Sequence, residues 1–227
     1  MRFLLFADEK NYSTILPILK RDGIVLVDEN PDVVISFGGD GTHIRSEHAY
    51  PGIPKLFLKG SNICKQCESL ANDEIIKHLA DGKYRIEPLI KLKTVTKGKE
   101  IIGLNDITIH NGDPRHAIRY RVFVNEKQIN KEVIGDGIVV ATPFGSSGYY
   151  RSITDGTFEV GIGLAFNNST EQADHIVLKD NSIIKVEIIR GPALVYVDNR
   201  QEFVNLIDGD SVTIEKSSEI ASVVRIL

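Results

Sequence analysis

The run Val33-Val34-Ile35-Ser36-Phe37, joined without a spacer to Gly38-Gly39-Asp40-Gly41-Thr42, constrains this chain more than any other segment. A short, β-branched, almost wholly apolar run predicts a strand buried on both faces. Strands of that kind belong to parallel sheets covered by helices. The glycines that follow permit positive φ and a close approach of the backbone to a ligand. A turn at the carboxyl end of a parallel strand, just before a helix, is where open α/β sheets bind ligands. The N–H groups of Gly38, Gly39 and Gly41 and the start of the helix suit phosphate oxygens. Thr42 suits an N-cap that also donates to a phosphate. Asp40 is the odd member. A carboxylate beside phosphates is repulsive unless it takes a proton from an attacking hydroxyl or helps hold Mg²⁺. The turn lacks the Gly-Lys-Ser/Thr ending of the P-loop and the Gly-x-Gly-x-x-Gly of dinucleotide-binding turns. The plain alternative is a tight strand-to-helix turn with an aspartate for turn chemistry.

Around this segment strand and helix signals alternate. Strands are predicted over residues 2–7, 24–27, 33–37 and 55–58, and helices over 12–21, 42–50 and 73–79. This is the pattern of a doubly wound parallel sheet. Beyond residue 84 strand-like runs dominate: 85–97, 101–110, 119–124, 138–142, 183–189, 193–197 and 211–216, with one helix starting near Gly145. The expected architecture is an N-terminal doubly wound α/β domain over residues 1–84 and a β-rich, sandwich-like domain over 85–227. The last strand is free to return to the first domain.

Charge narrows the function. Lys plus Arg number 27 and Asp plus Glu 31, a net charge of −4. That balance speaks against general nucleic-acid binding, which rests on neutralising phosphates, but leaves room for a local phosphate site. The apolar start, 1–7, lacks the flanks of a signal peptide, and no apolar run reaches the roughly 20 residues of a membrane span. A cytoplasmic protein without a membrane partner is expected. Cys64 and Cys67 stand as Cys-x-x-Cys. They are a redox pair, half a zinc site, or two small loop residues. His43 and His48 are five apart, which does not put two ligands on one helix face.

Two further segments carry polar chemistry. Asn105-Asp106 opens a strand-like run, where an amide and a carboxylate can bind ribose hydroxyls or simply make a turn. Asp136-Gly137 precedes a buried strand, which ends in Thr142-Pro143-Phe144-Gly145-Ser146-Ser147-Gly148-Tyr149. Its small residues admit a flat ring or a backbone, and its serines supply short hydroxyls.

In this order the segments resemble the NAD kinase family, part of a superfamily with diacylglycerol kinases, sphingosine kinases and phosphofructokinases. Gly38-Gly39-Asp40-Gly41-Thr42 is the superfamily's motif. Asn105-Asp106 resembles the family's Asn-Glu, and Thr142 to Tyr149 its Thr-Pro-Thr-Gly-Ser-Thr-Ala-Tyr. Val197-Asp198-Asn199 and Asp208-Gly209-Asp210 resemble its late Asp-Gly turn and Gly-Asp strand. The resemblance implies transfer of phosphate from ATP, or polyphosphate, to the 2′-hydroxyl of the adenosine ribose of NAD. Asp40 would assist the hydroxyl or the metal. Gly38, Gly39, Gly41 and Thr42 would line the phosphates. Asn105, Asp106, Asp136, Ser147, Gly148, Tyr149 and Ser152 would hold NAD. Mg²⁺ would enter with ATP, with no residue assigned outright as its ligand. A homodimer or homotetramer is implied. The chain departs from the family after the glycine turn. Gly60-Ser61-Asn62 fits, but Cys64 stands where a glycine is usual and no Leu-Gly-Phe-Leu follows. A non-catalytic NAD(P) sensor and a sibling kinase of lipids or small hydroxyl compounds are the alternatives.

Overall fold

The computed structural model describes residues 1–129, 131–171 and 174–227. The chain divides into two compact units, Met1–Leu89 with Glu219–Leu227, and Ile90–Ser218.

The first unit runs β1 (Phe3–Ala7), α1 (Glu9–Arg21), β2 (Val33–Gly38), α2 (Asp40–Ala49), β3 (Lys55–Lys59) and α3 (Asn72–Ala80). β2 lies between β1 and β3 and is parallel to both, in registers running from Phe3↔Val33 and from Val34↔Lys55. All of β2 is buried, as its sequence predicts. Side chains alternate across a strand. Val33, Ile35 and Phe37 therefore share one face, where Ile15 and Leu19 of α1 and Ile75, Ile76 and Leu79 of α3 join them in a single core. Ser36 points to the other face and meets His43 of α2. Helices thus cover both faces, the doubly wound arrangement.

Two local expectations change. The strand at 24–27 shrinks to one bridge, Phe3↔Leu26, after a turn at Gly23 with φ of +73°. Helix α2 begins at Asp40 rather than Thr42, because Gly39 takes the capping position. The Lys55 ammonium and the Glu47 carboxylate, both out of water, pair across β3 and α2.

The remaining elements are β4 (Tyr84–Thr96), β5 (Lys99–Gly103), β6 (Asp106–Asn111), β7 (Ile118–Val124), β8 (Lys127–Gln128), β9 (Val133–Gly135), β10 (Gly137–Ala141), α4 (Tyr149–Thr154), β11 (Ile162–Asn167), β12 (His175–Leu178), β13 (Ile184–Arg190), β14 (Ala193–Val197), β15 (Phe203–Leu206) and β16 (Ser211–Ile226). One antiparallel sheet has the order β12-β11-β10-β6-β14-β15. In the facing layer β13 lies between β7 and β16. The alternating burial of β7 and β13 marks one inward face on each. Ile107, Ile109, Val140 and Val195 from the first sheet pack with Tyr120, Val122, Val186 and Ile214 from the second in one apolar cluster. The second unit is therefore a sandwich. The end of β16 belongs to the first unit, where Val223 pairs with Lys55. Among the described residues no helix is long and apolar enough to cross a membrane.

Candidate functional site

In the first unit β2 ends at Gly38, and the extended Gly39 (φ −112°, ψ −177°) leads into α2. Gly38, Gly39 and Gly41 do not adopt positive φ, contrary to the sequence expectation. At Gly38 and Gly39 the requirement is space. A Cβ on Gly38 would lie 2.4 Å from Thr42 Oγ1, and one on Gly39 would lie 3.0 Å from the Ile63 carbonyl oxygen. Thr42 sits in the first turn of the helix, its N–H donating to Gly39 O at 2.9 Å, so it is not the N-cap. Its hydroxyl accepts from Arg45 Nη2 at 3.3 Å, and the same guanidinium nitrogen pairs with Asp8 at 3.2 Å.

Asp40 heads α2, where the positive end of the helix dipole favours a carboxylate. The Lys65 N–H reaches both its oxygens at 3.0 Å, and the Gln66 N–H reaches Oδ1 at 3.1 Å. Those donors lie between Cys64 and Cys67, which form a disulfide. The two are therefore joined to each other rather than being separate small loop residues. His43 is buried and stacked on Phe57 with ring centroids 4.2 Å apart. Its Nδ1 meets Ser36 Oγ at 2.8 Å, and its Nε2 lies 3.3 Å from each sulfur. Burial pushes its pKa down to about 4 against the opposing pull of the Asp40 charge, so the imidazole is neutral at neutral pH.

In the second unit the expected strand over 101–110 breaks. β5 stops at Gly103 and β6 starts at Asp106, because one carboxylate draws off the intervening N–H groups. Asp198 accepts from Leu104 at 2.9 Å, Asn105 at 2.7 Å and Asp106 at 3.2 Å. From the other side the Thr142 hydroxyl donates to Leu104 O at 2.7 Å and accepts from the Gly145 N–H at 3.1 Å. Gly145 rides so close that a Cβ would lie 2.0 Å from Asn105 O. Asn105 Nδ2 hydrogen-bonds the Asp106 carboxylate. Asp106 is almost fully buried. Desolvation, then the neighbouring Asp198 charge, pushes its carboxyl up to about 7, and the Asn105 amide pulls the other way.

A short 3₁₀ turn at Gly145–Ser147 leads into α4. Gly148 lies beside Asn105, 3.4 Å from its Nδ2 to an ideal Cβ. Tyr149 follows; its hydroxyl accepts from Asn167 Nδ2 at 2.8 Å. Burial first, then the charges of Asp136 and Asp106, raises the Tyr149 phenol. Ser147 is half-buried. The exposed Ser152 donates its hydroxyl to Tyr149 O at 2.7 Å. Asp136 stands at the other end of the β6–β10 pair: Ala141 faces Asp106 while Gly137 faces His110. Its carboxylate accepts from Asn168 at 2.6 Å and Asn111 at 3.3 Å. Asn105, Asp106, Gly148 and Tyr149 thus come together, and Asp136 joins them through its field.

Sequence reasoning did not assign Arg45, Asp198, Asn167 or Asn168. Asp198 had a signal, since Val197-Asp198-Asn199 resembles the late Asp-Gly turn of the NAD kinase family. The backbone donors of Lys65 and Gln66 had none.

Solved structures share this architecture across the whole chain. An NAD kinase from Archaeoglobus fulgidus, solved in complex with ATP, matches with a TM-score of 0.79 at 23% identity, covering 100% of this chain and 94% of that one. Yeast NADH kinase, complexed with NADH, matches with a TM-score of 0.79 at 14% identity, covering 100% and 84%. The fold is that of the nucleotide-cofactor kinases. Sequence carries the relation to a family. A sequence model of the ATP-NAD kinase C-terminal domain matches residues 104–226, more than half the chain. The NAD kinase of Pyrococcus abyssi is 30% identical over 219 residues, covering 92% of this chain and 79% of that protein. The NAD kinase of Pyrococcus furiosus is 26% identical over 227 residues, covering 96% and 82%. The chain belongs to the NAD kinase family and is an enzyme of that class.

Proposed function

We propose that the chain moves the γ-phosphate of ATP to the 2′-hydroxyl of the adenosine ribose of NAD, forming NADP, with Asp40 as the proton acceptor. The observation that carries this is the asymmetry of the Asp40 carboxylate. Oδ1 takes both the Lys65 and Gln66 N–H groups, whereas Oδ2 shares only that of Lys65. Oδ2 therefore keeps a lone pair for a substrate hydroxyl, and the two amides fix its direction. Phosphoryl transfer needs little covalent help from the protein; position and charge neutralisation do most of the work. Gly38, Gly39, Gly41 and Thr42 line the phosphates, and Arg45, within reach of Thr42, adds a cation. Asn105 and Asp106, on their pinned turn, accept and donate to the ribose. Ser147, Gly148, Tyr149 and Ser152 take the adenine side, and Asp136 adds an acidic contact.

Mg²⁺ enters with ATP in this reading. It favours oxygen donors, typically one or two carboxylates together with substrate phosphates. Asp40 is the half-buried carboxylate that fits that chemistry, but with its free lone pair given to the hydroxyl the substrate phosphates would hold the ion beside it. When bound, the ion neutralises charge on the phosphates. We further infer a homodimer or homotetramer working in the cytoplasm, in keeping with the family resemblance; light scattering tests the assembly.

The test is direct. The purified chain is incubated with NAD or NADH, Mg²⁺, and either ATP or polyphosphate. NADP from NAD and ATP is expected. Binding of NAD without turnover on any donor would replace the kinase reading with that of a sensor.

A further inference from the structure

We propose that His43, Cys64 and Cys67, once the disulfide is reduced, form a binding site for one thiophilic divalent cation, Zn²⁺ by chemistry. The three ligand atoms already lie within 4.8 Å of one another, and none of these residues is assigned to NAD or phosphate above.

The imidazole is the fixed member. His43 is fully buried and lies against the Phe57 ring at an interplanar angle of 15°. Its Nδ1 is engaged with Ser36 Oγ. A ligating histidine characteristically hands its second nitrogen to such a partner, which fixes the tautomer and aims the free nitrogen. Here Nε2 is aimed at both sulfurs, 3.3 Å from each. Bond lengths of about 2.3 Å to sulfur and 2.0 Å to nitrogen give a tetrahedral S···N edge of roughly 3.5 Å. The observed S···N spacing is within a few tenths of an ångström of that value, and reduction lets the bonded sulfurs part to about 3.8 Å, the tetrahedral S···S edge. Cys-x-x-Cys is a common chelating pair for zinc, and two thiolates with an imidazole select a soft cation over Mg²⁺.

Charge points the same way. Cys64 Sγ lies 3.5 Å from Asp40 Oδ1. Two thiolates beside that carboxylate would repel one another without a cation. Bound between the sulfurs and His43, the ion would clamp segment 64–67, whose Lys65 and Gln66 N–H groups hold Asp40. The fourth position falls to water, since both cysteines are only half-buried.

The chemistry balances with a dithiol or phosphine reductant. A dithiol gives two electrons and two protons to the disulfide, the S–S bond breaks, and the donor closes to its own disulfide; a phosphine gives the two electrons and becomes its oxide, with water supplying the oxygen and the two thiol protons. The cation then displaces two thiol protons to solvent.

The experiment uses the full chain, reduced with a phosphine, transferred without air or chelator, and titrated with Co²⁺. Uptake of one Co²⁺ per chain is expected, with thiolate-to-cobalt charge-transfer absorption and the strong ligand-field bands of a tetrahedral site, both erased by Zn²⁺. The unreduced chain should show neither. Cys64→Ser combined with Cys67→Ser should abolish the charge-transfer band with circular dichroism unchanged, and His43→Asn should weaken binding. If His43→Asn fails to fold, the cysteine variant, at half-buried positions, still decides. A reduced chain that takes up no Co²⁺, or a charge-transfer band that survives loss of both cysteines, overturns the proposal.

Discussion

The Asp198 carboxylate grips the backbone of Asn105. Oδ1 accepts the Asn105 N–H at 2.7 Å, and the same group takes the N–H groups on either side. These bonds divide β5 from β6, leaving Leu104 and Asn105 between the strands and Asp106 at the head of β6. Asp198 has φ of 53°, a left-handed conformation that asparagine tolerates. Asp198→Asn therefore keeps the shape, removes the charge, and turns one acceptor into a donor facing an N–H. A hydrogen bond to a charged group contributes about 1.5–3 kcal/mol, and a loss of that size is expected in urea denaturation. KM for NAD should rise more than KM for ATP. A variant as stable as the parent, with unchanged KM, would show that the turn forms without this carboxylate.

Asp106 gives the stability a pH dependence of known sign. Its folded carboxyl is raised from 3.8 to about 7, so the native state holds this proton more tightly than the unfolded chain does. Below about pH 4 both states are protonated and the group has no effect. Between about pH 4 and 7 the unfolded chain has lost the proton and the native state keeps it, so stability falls as pH rises. Above about pH 7 both states are ionised and the loss is complete. Asp106→Asn imitates the protonated form. It should melt above the parent at about pH 8 and alongside it at about pH 4. Parallel melting curves across that range would contradict the raised carboxyl.

Gly145 and Gly148 should respond differently to one added methyl group. On Gly145 the new carbon would sit 2.0 Å from Asn105 O, while on Gly148 its nearest neighbour, Gly145 O, is 3.3 Å away. Gly145→Ala must push back the Asn105 backbone, at a cost of about 1–3 kcal/mol, and should weaken NAD binding measured by calorimetry. Gly148→Ala should stay closer to the parent in stability, whatever its added methyl does to the adenine side. Equal behaviour of the two variants would mean that the close approach at Asn105 is dispensable.

How much of this was legible depended on where each constraint lies in the chain. β2 and the place of its turn read directly, since a strand covered on both faces needs no alternation and the glycines follow at once; the turn's conformation did not, because its glycines keep negative φ and Gly39 rather than Thr42 caps the helix. The break between β5 and β6 did not read, because its cause, Asp198, is distant in sequence. β11 and β12 also escaped notice. β11 is a short apolar run among glycines, and three of the four β12 residues are exposed, which blurs its pattern. In the site, Asp40, Asn105 and Asp106 stood out as side chains. The groups that hold them are backbone amides and a remote carboxylate, which no local pattern announces. The Cys-x-x-Cys pair likewise stayed ambiguous until His43 was seen beside it.

The central claim is that Asp40 accepts the hydroxyl proton, and Asp40→Asn tests it most directly. Asparagine keeps the shape and one oxygen for the Lys65 and Gln66 N–H groups but cannot act as a base. Steady-state NADP formation from NAD and Mg²⁺-ATP should show kcat lowered by about 10²–10⁴, with KM for NAD and the melting temperature close to the parent's. A variant that turns over within about tenfold of the parent, folded and saturable, would contradict the account.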